Sequence, residues 1–191
     1  MSRIIAGSLA ARRIATPPGD RTRPTTNQVR EAVFALLAAR LGPGQVEPAE
    51  QLAGLKFLDL FAGSGAVGFE AISRGAEVTW VEKDEAATIK KNIAALEVSG
   101  RLMAMDVVRF LRRKPEGFDI IWMDPPYETP TALLDRIIGS LGSKGWVRQG
   151  GFVLVERSTH TSTVEFPRCF STGRPRRYGD TIIHYGEKVS A

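Results

Sequence analysis

The chain has one cysteine, two histidines and no apolar stretch near the roughly 20 residues that a bilayer-spanning helix needs. Each scarcity removes a class of protein. Cys169 has no partner for an intramolecular disulfide and no Cys or His at metal-ligand spacing, so it reads as a free, buried or half-buried thiol, and no metal is expected. His160 and His184 stand singly with no motif around them and read as structural residues. No early apolar segment is followed by a small-residue cleavage site, which leaves neither an export nor an anchoring signal. The Arg-rich, acid-poor opening has the composition of an organelle transit peptide. Its turn residues and alternating pattern read instead as structure, and a cytoplasmic address is expected. Repeats and low-complexity segments are also missing.

What is present fits one domain with a small appendage: 191 residues, 43% of them hydrophobic, suffice for a real core. The net charge of +5 is unevenly spread. Residues 1–30 carry six arginines (Arg3, Arg12, Arg13, Arg21, Arg23, Arg30) against the single acid Asp20, residues 51–150 are balanced, and a smaller basic excess returns after 150. Concentration at the two ends suits a polyanion partner, although a merely solvated basic arm has the same composition.

Arg3-Ile4-Ile5 and Arg13-Ile14-Ala15 flank Gly7 as two short strand-like runs, which predicts an N-terminal hairpin. Pro17-Pro18-Gly19-Asp20 breaks the chain. Thr25 and Gln28 have capping-box spacing, and Val29, Val33, Leu36, Leu37 and Leu41 follow at helical spacing, so a helix is predicted over 26–41. Gly42-Pro43-Gly44 ends it, and the polar stretch through Glu50 reads as a linker, dividing an extension of residues 1–50 from a domain of residues 51–191. Beyond residue 55, short apolar runs alternate with amphipathic helices, the pattern of a parallel sheet covered on both faces. Strands are predicted at 56–60, 77–81, 101–105, 118–123 and 151–156, with helices at 66–74, 85–96, 107–113 and 130–142. Runs at 163–166, 169–171 and 181–185 lack helical periodicity and suggest antiparallel strands that complete the sheet.

Three segments carry chemistry. The run Asp59-Leu60-Phe61-Ala62-Gly63-Ser64-Gly65-Ala66-Val67-Gly68 puts a Gly-x-Gly-x-x-Gly turn between a strand and a helix, where backbone N–H groups can approach a nucleotide-like ligand. The same glycines would also serve a tight turn with no ligand. Asp59 would repel the pyrophosphate of a dinucleotide but suits the cationic sulfonium and ammonium of S-adenosylmethionine. Glu82, in Val81-Glu82-Lys83-Asp84, ends the second predicted strand and can accept both ribose hydroxyls. Asp106 either accepts from an adenine amino group, with the Val107 backbone beside it, or simply caps a helix. The most specific segment is Asp124-Pro125-Pro126-Tyr127, directly after the apolar run Phe118 to Met123. Successive prolines stiffen the loop and remove two competing N–H donors. Asp124 Oδ and the Pro125 carbonyl can then accept from both N–H groups of an exocyclic amine, and Tyr127 offers an aromatic face to a flipped base.

Together these three segments resemble class I S-adenosylmethionine methyltransferases that act on amino nitrogens. Arg3-Ile4-Ile5-Ala6-Gly7, Arg23-Pro24-Thr25-Thr26 and Val29-Arg30-Glu31-Ala32-Val33-Phe34 narrow the likeness to the bacterial RsmD family of 16S rRNA guanine-N2 methyltransferases, over residues 3–185. That resemblance implies an α/β, Rossmann-like sheet of seven strands, mostly parallel with the last antiparallel, behind a small hairpin-plus-helix extension. It assigns S-adenosylmethionine to Asp59, Phe61, Ala62, Gly63, Gly65, Gly68, Glu82, Lys83, Asp106 and Val107, and the guanine to Asp124, Pro125, Pro126 and Tyr127. It implies as substrate 16S rRNA in a small-subunit assembly particle, met by a monomer whose Arg3, Arg12, Arg13, Arg23, Arg30, Arg174, Arg176 and Arg177 grip phosphates. The loop Glu128-Thr129-Pro130 is shorter in acids and aromatics than the family's, which leaves the outer wall of the base pocket undefined. Two other readings stay open on the residues alone: an adenine-N6 methyltransferase on DNA or RNA, and a nucleic-acid-binding protein with a vestigial cofactor site.

Overall fold

The computed structural model describes residues 2–16, 26–42 and 46–190. A hairpin of β1 (Ser2–Arg3) and β2 (Arg13–Ile14) precedes helix α1 (Asn27–Leu41). Then come β3 (Lys56–Leu60), α2 (Ala66–Ser73), β4 (Glu77–Val81), α3 (Ala86–Leu96), β5 (Arg101–Met103), α4 (Val107–Phe110), β6 (Phe118–Met123), α5 (Thr131–Ser143) and β7 (Val147–Ser158). Three further strands, β8 (Phe170–Thr172), β9 (Arg176–Tyr178) and β10 (Thr181–Lys188), end the chain.

The main sheet runs β5-β4-β3-β6-β7-β10-β8, parallel from β5 to β7, with β10 antiparallel to β7. This is the class I methyltransferase arrangement expected from sequence, with one difference in count. Among the described residues this sheet has eight strands where seven were expected, because β8 and β9 share the outer edge of β10. From β3 the chain moves outward through β4 and β5, then returns to β6 on the other side of β3. The point between the carboxyl ends of β3 and β6 is therefore the topological switch, where open α/β sheets leave a crevice for a ligand.

Each face of the sheet has its own core. Val29, Val33, Phe34 and Leu37 of α1 join Ile4 and Ile14 of the hairpin, Phe69 of α2 and Phe57, Trp80 and Trp122 of the strands. Leu134, Ile137, Ile138 and Leu141 of α5 pack on Leu58, Ile121, Val153 and Val155 opposite. Burial of each such side chain contributes about 1.5–3 kcal/mol. The hairpin thus completes the apolar cluster of α1. It is tied to α2 by hydrogen bonds from Ile5 N (2.7 Å) and Ala6 N (3.1 Å) to the buried Glu70 carboxylate, and from Leu9 N to Ser73 Oγ (2.9 Å).

Several sequence expectations shift. The helix cap is Thr26, whose hydroxyl accepts from Val29 N at 3.3 Å, and the proposed box partner Thr25 lies outside the described residues, as do Pro17 to Asp20 and Pro43-Gly44. Helix α4 stops at Phe110, after one turn. β7 begins four residues early because Val147 pairs with Phe118 across a bulge. Residues 163–166 form no strand; Phe166 instead sits edge-on to Phe170, with ring centroids 5.5 Å apart. Cys169 is half-buried, as read from sequence. No helix among the described residues is long and apolar enough to cross a membrane.

Candidate active site

Both loops singled out in the sequence emerge at the switch point. After β3, Phe61 takes a left-handed φ of 60°, an uncommon conformation that costs a non-glycine residue about 1–2 kcal/mol. It turns the chain so that Ala62 N donates to Val81 O (3.2 Å) and Gly63 N to Glu82 Oε2 (2.7 Å). Glu82 Oε1 meanwhile accepts from Asp84 N (2.8 Å) and Glu85 N (3.2 Å), so one carboxylate pins the glycine turn to the start of α3. Oε2, which accepts from Gly63 N, keeps lone-pair capacity for a further donor.

The three glycines divide their work. A Cβ built on Gly63 would meet nothing within 4 Å, so the turn faces open space there. Gly65 and Gly68 instead make room for Trp80, which is fully buried and donates from Nε1 to Gly65 O at 3.2 Å. Trp80 drew no attention in the sequence, although a buried indole on the strand beside a glycine turn is reason enough for two of its glycines.

Asp59 lies under this turn, 1% exposed, and its Oδ2 accepts from Gly68 N at 2.9 Å. Burial pushes its carboxyl well above the ordinary carboxylate range; the Gly68 N–H opposes this, and the charges of Asp124 and Glu82 add to it. Asp59 therefore anchors the turn to α2. It leaves almost no surface to a ligand, whereas Glu82 is less buried. Lys83 is exposed, with its Nζ 3.7 Å from the Asp84 carboxylate. Asp106 is exposed and caps α4, accepting at Oδ1 from Val108 N (2.8 Å) and Arg109 N (3.3 Å), while Val107 is buried beside it.

Across the switch point, Asp124 is half-buried and its N donates to Leu60 O at 3.4 Å, which joins the end of β6 to that of β3. Pro125 is buried and Pro126 exposed; Thr129 N closes on Pro126 O at 2.9 Å, folding the loop back. Tyr127 keeps 44% of its surface exposed, enough for its ring to receive a planar partner. The buried Asp59 thus lies in the field of both Glu82 and Asp124, which flank the switch point beside an open glycine turn and an exposed aromatic ring. Acidic groups and an open turn at one crevice fit a ligand that carries positive charge, as S-adenosylmethionine does. Among the described residues no cluster of His, Cys, Asp or Glu could hold a metal ion.

Residues 2–187 match the family model described as Conserved hypothetical protein 95. Ribosomal RNA small subunit methyltransferase D of Escherichia coli strain K12 is 33% identical over 181 residues, which cover 93% of this chain and 85% of that protein. The chain belongs to the RsmD family of rRNA methyltransferases. The solved structure of yhhF from Escherichia coli agrees, with a TM-score of 0.83 and 30% identity over 100% of this chain and 99% of its own. Magnesium protoporphyrin IX methyltransferase from Synechocystis PCC 6803, solved with bound SAM, shares the fold at a TM-score of 0.62 and 17% identity, covering 84% of this chain and 78% of its own.

The arginines expected to grip RNA in this RsmD-family chain are differently placed. Arg3, Arg12 and Arg13 are exposed on the hairpin, with Arg12 donating to Ala95 O (3.1 Å), and Arg174, Arg176 and Arg177 are exposed around β9. Arg23 lies outside the described residues. Arg30 corrects the expectation: it is 0% exposed, and its Nη2 donates to Ser2 Oγ (2.8 Å), Arg3 O (3.0 Å) and Asn27 Oδ1 (2.5 Å). It fastens the hairpin to α1 and has no surface to offer a phosphate. Its position was readable, since Arg30, Val33, Phe34 and Leu37 share one helical face.

Sequence reasoning also missed Arg157. This residue of β7 is 2% exposed and donates from Nη2 to Thr129 O at 3.3 Å; burial disfavours its charge, and the nearby Asp124 opposes that.

Proposed function

We propose that the chain transfers the methyl group of S-adenosylmethionine to the exocyclic N2 of a guanine in 16S rRNA of the small ribosomal subunit. The observation that carries this reading is the meeting of Asp59, Glu82 and Asp124 at the switch point, beside an exposed Tyr127. Bound there, S-adenosylmethionine supplies a methyl group on a positively charged sulfur. The chain's own residues do the rest. The turn over Gly63 and the acid Glu82 hold the nucleoside end, and Asp59 keeps that turn in place through Gly68. Asp106 adds an acceptor for the adenine amino group. An aromatic amine is a poor nucleophile because its lone pair is delocalised into the ring. Asp124 Oδ and the Pro125 carbonyl accept from its two N–H groups and so favour a pyramidal nitrogen, while Tyr127 stacks on a base flipped out of its strand, a contact worth about 1–3 kcal/mol. Positioning two reactants at near-attack distance removes much of the barrier, and no covalent enzyme intermediate is required. Exposed arginines on the hairpin and around β9 would hold the flanking phosphates, the hairpin and α1 serving as the RNA-binding extension.

Mass mapping of 16S rRNA from cells lacking the gene tests the reading: one guanine should lose its N2-methyl group, and retention of every modification would overturn it. A second check addresses the cofactor. Glu82→Ala removes the acceptor of Gly63 N and of the ribose hydroxyls, so the dissociation constant for S-adenosylmethionine, measured by calorimetry, should rise about tenfold or more. An unchanged constant would remove Glu82 from the cofactor site.

A further inference from the structure

Asn92 stands where helix α3 should be apolar. It shares the inward stripe of the helix with Ile89 and Leu96 and is only 2% exposed. An amide is a poor helix residue and is costly to bury unless its polar atoms are paired. Here they are paired with backbone from two other parts of the chain. Oδ1 accepts from Ala15 N (2.9 Å), and Nδ2 donates to Ala15 O (2.9 Å) and to Ser64 O (3.2 Å). No other orientation of the amide serves all three, because Ala15 N needs an acceptor and the two carbonyls need donors.

The two partners lie in different working regions. Ala15 directly follows β2, the strand of Arg13, and precedes Arg21 and Arg23 in sequence. Ser64 lies between Gly63, which faces open space, and Gly65. Each of these three turn residues is held by a side chain: Gly63 N by Glu82, Ser64 O by Asn92 and Gly65 O by Trp80. Among the described residues, Asn92 is the one of these side chains that also holds the arm. Arg12 fastens the same hairpin to α3 about one turn further on, through Ala95 O (3.1 Å).

We propose that Asn92 is a positioning residue that couples the arginine-bearing arm to the glycine turn, so that RNA on the arm and S-adenosylmethionine at the turn each tighten the binding of the other. This rests on the reading of the turn as the seat of the methyl donor and of the arm as an RNA contact. One planar amide serves both partners, so the rotamer that clasps Ala15 is also the one that reaches Ser64 O. A ligand that fixes the arm against α3 thereby fixes Ser64 and, through its two planar peptide groups, Gly63 and Gly65. The sign is positive because the clasped arm and the formed turn occur together in one structure. Linkage then makes the effect reciprocal: the factor that RNA gives the cofactor, the cofactor gives the RNA.

Equilibrium dialysis of labelled S-adenosylhomocysteine, with and without saturating small-subunit particles from cells lacking the gene, measures that factor. The parent should bind S-adenosylhomocysteine about tenfold more tightly on the particles, a size typical of coupled sites. In Asn92→Ala, water entering the vacated space can pair Ala15 and Ser64 separately, and the gain should fall to about twofold or less. A residue that merely supported the fold would lower both affinities and leave their ratio unchanged. A gain that survives in Asn92→Ala, or no gain in the parent, overturns the proposal. Hydrogen exchange on the parent gives a second reading that does not require the variant to fold. S-adenosylhomocysteine should slow exchange of the Ala15 amide severalfold, and unaltered exchange overturns the coupling. Failure of the parent to bind S-adenosylhomocysteine or the particles at all would instead defeat the underlying reading of the site.

Discussion

Asp124→Ala is expected to lower the rate of methyl transfer by about 1000-fold or more while cofactor affinity stays within a few fold. The separation follows from where the side chain stands. Asp124 caps β6 on the far side of the switch point from the glycine turn, and the hydrogen bonds that hold the turn run from Gly63 to Glu82 and from Gly68 to Asp59. None of them involves the Asp124 carboxylate. Removing it also takes away one of the charges that push the Asp59 carboxyl upward, so the fold loses repulsion at the crevice. Single-turnover methylation and calorimetry of the same preparation check both halves. A variant that methylates at the parental rate would eliminate the proposed role of the carboxylate, and one that loses cofactor binding would relocate it to the nucleoside pocket.

Gly68→Ala should be the most damaging single methyl in the glycine turn. The added Cβ would sit 2.1 Å from Trp80 Nε1 and 2.7 Å from Cε2, far inside contact distance. The indole cannot retreat, because Gly100 on its other side already leaves only 2.4 Å between a hypothetical Cβ and Trp80 Cζ3. Helix α2 must therefore tilt outward, which breaks the bond from Gly68 N to the buried Asp59. Overpacking and an unsatisfied buried carboxyl together cost about 3–5 kcal/mol, and the turn that would seat the cofactor is displaced at the same time. Urea denaturation reads the first effect and calorimetry the second. Gly139→Ala in α5 is the internal contrast: nothing lies within 4 Å of its added Cβ, and the helix should gain about 0.5–1 kcal/mol. A Gly68→Ala protein as stable as the parent would mean that Trp80 has room to move.

The parts of this fold that could be read from residues alone are those where burial on both faces leaves an unbroken apolar run. β3, β4 and β6 fall at the expected residues because each is a short hydrophobic segment bounded by glycine, proline or charge. β9 escaped notice for the opposite reason: Arg176-Arg177-Tyr178 is a polar edge strand whose pairing with β10 leaves no periodic trace. The start of β7 was hidden likewise, since Arg148-Gln149-Gly150 carries no apolar pattern. Within the site, the glycine turn, Glu82 and the Asp124 loop could be located because their chemistry demands particular residue types in a row. Trp80, Arg30 and Arg157 could not, because each matters through a neighbour that is distant in sequence. Strand and helix periods nevertheless put both arginines on inward faces, and an arginine at an inward position is a signal worth reading in any chain.

Helix α2 is eight residues long and is held at two places at once. Near its start Gly68 is fastened to Asp59 below the glycine turn; farther along, Glu70 and Ser73 grasp the backbone of the arginine-bearing hairpin. So short a rod does not flex appreciably between two such grips. Any pull on the amino-terminal arm is therefore felt at the glycine turn, and clipping the arm off would leave the buried Glu70 carboxylate with Arg74 but without its two backbone donors.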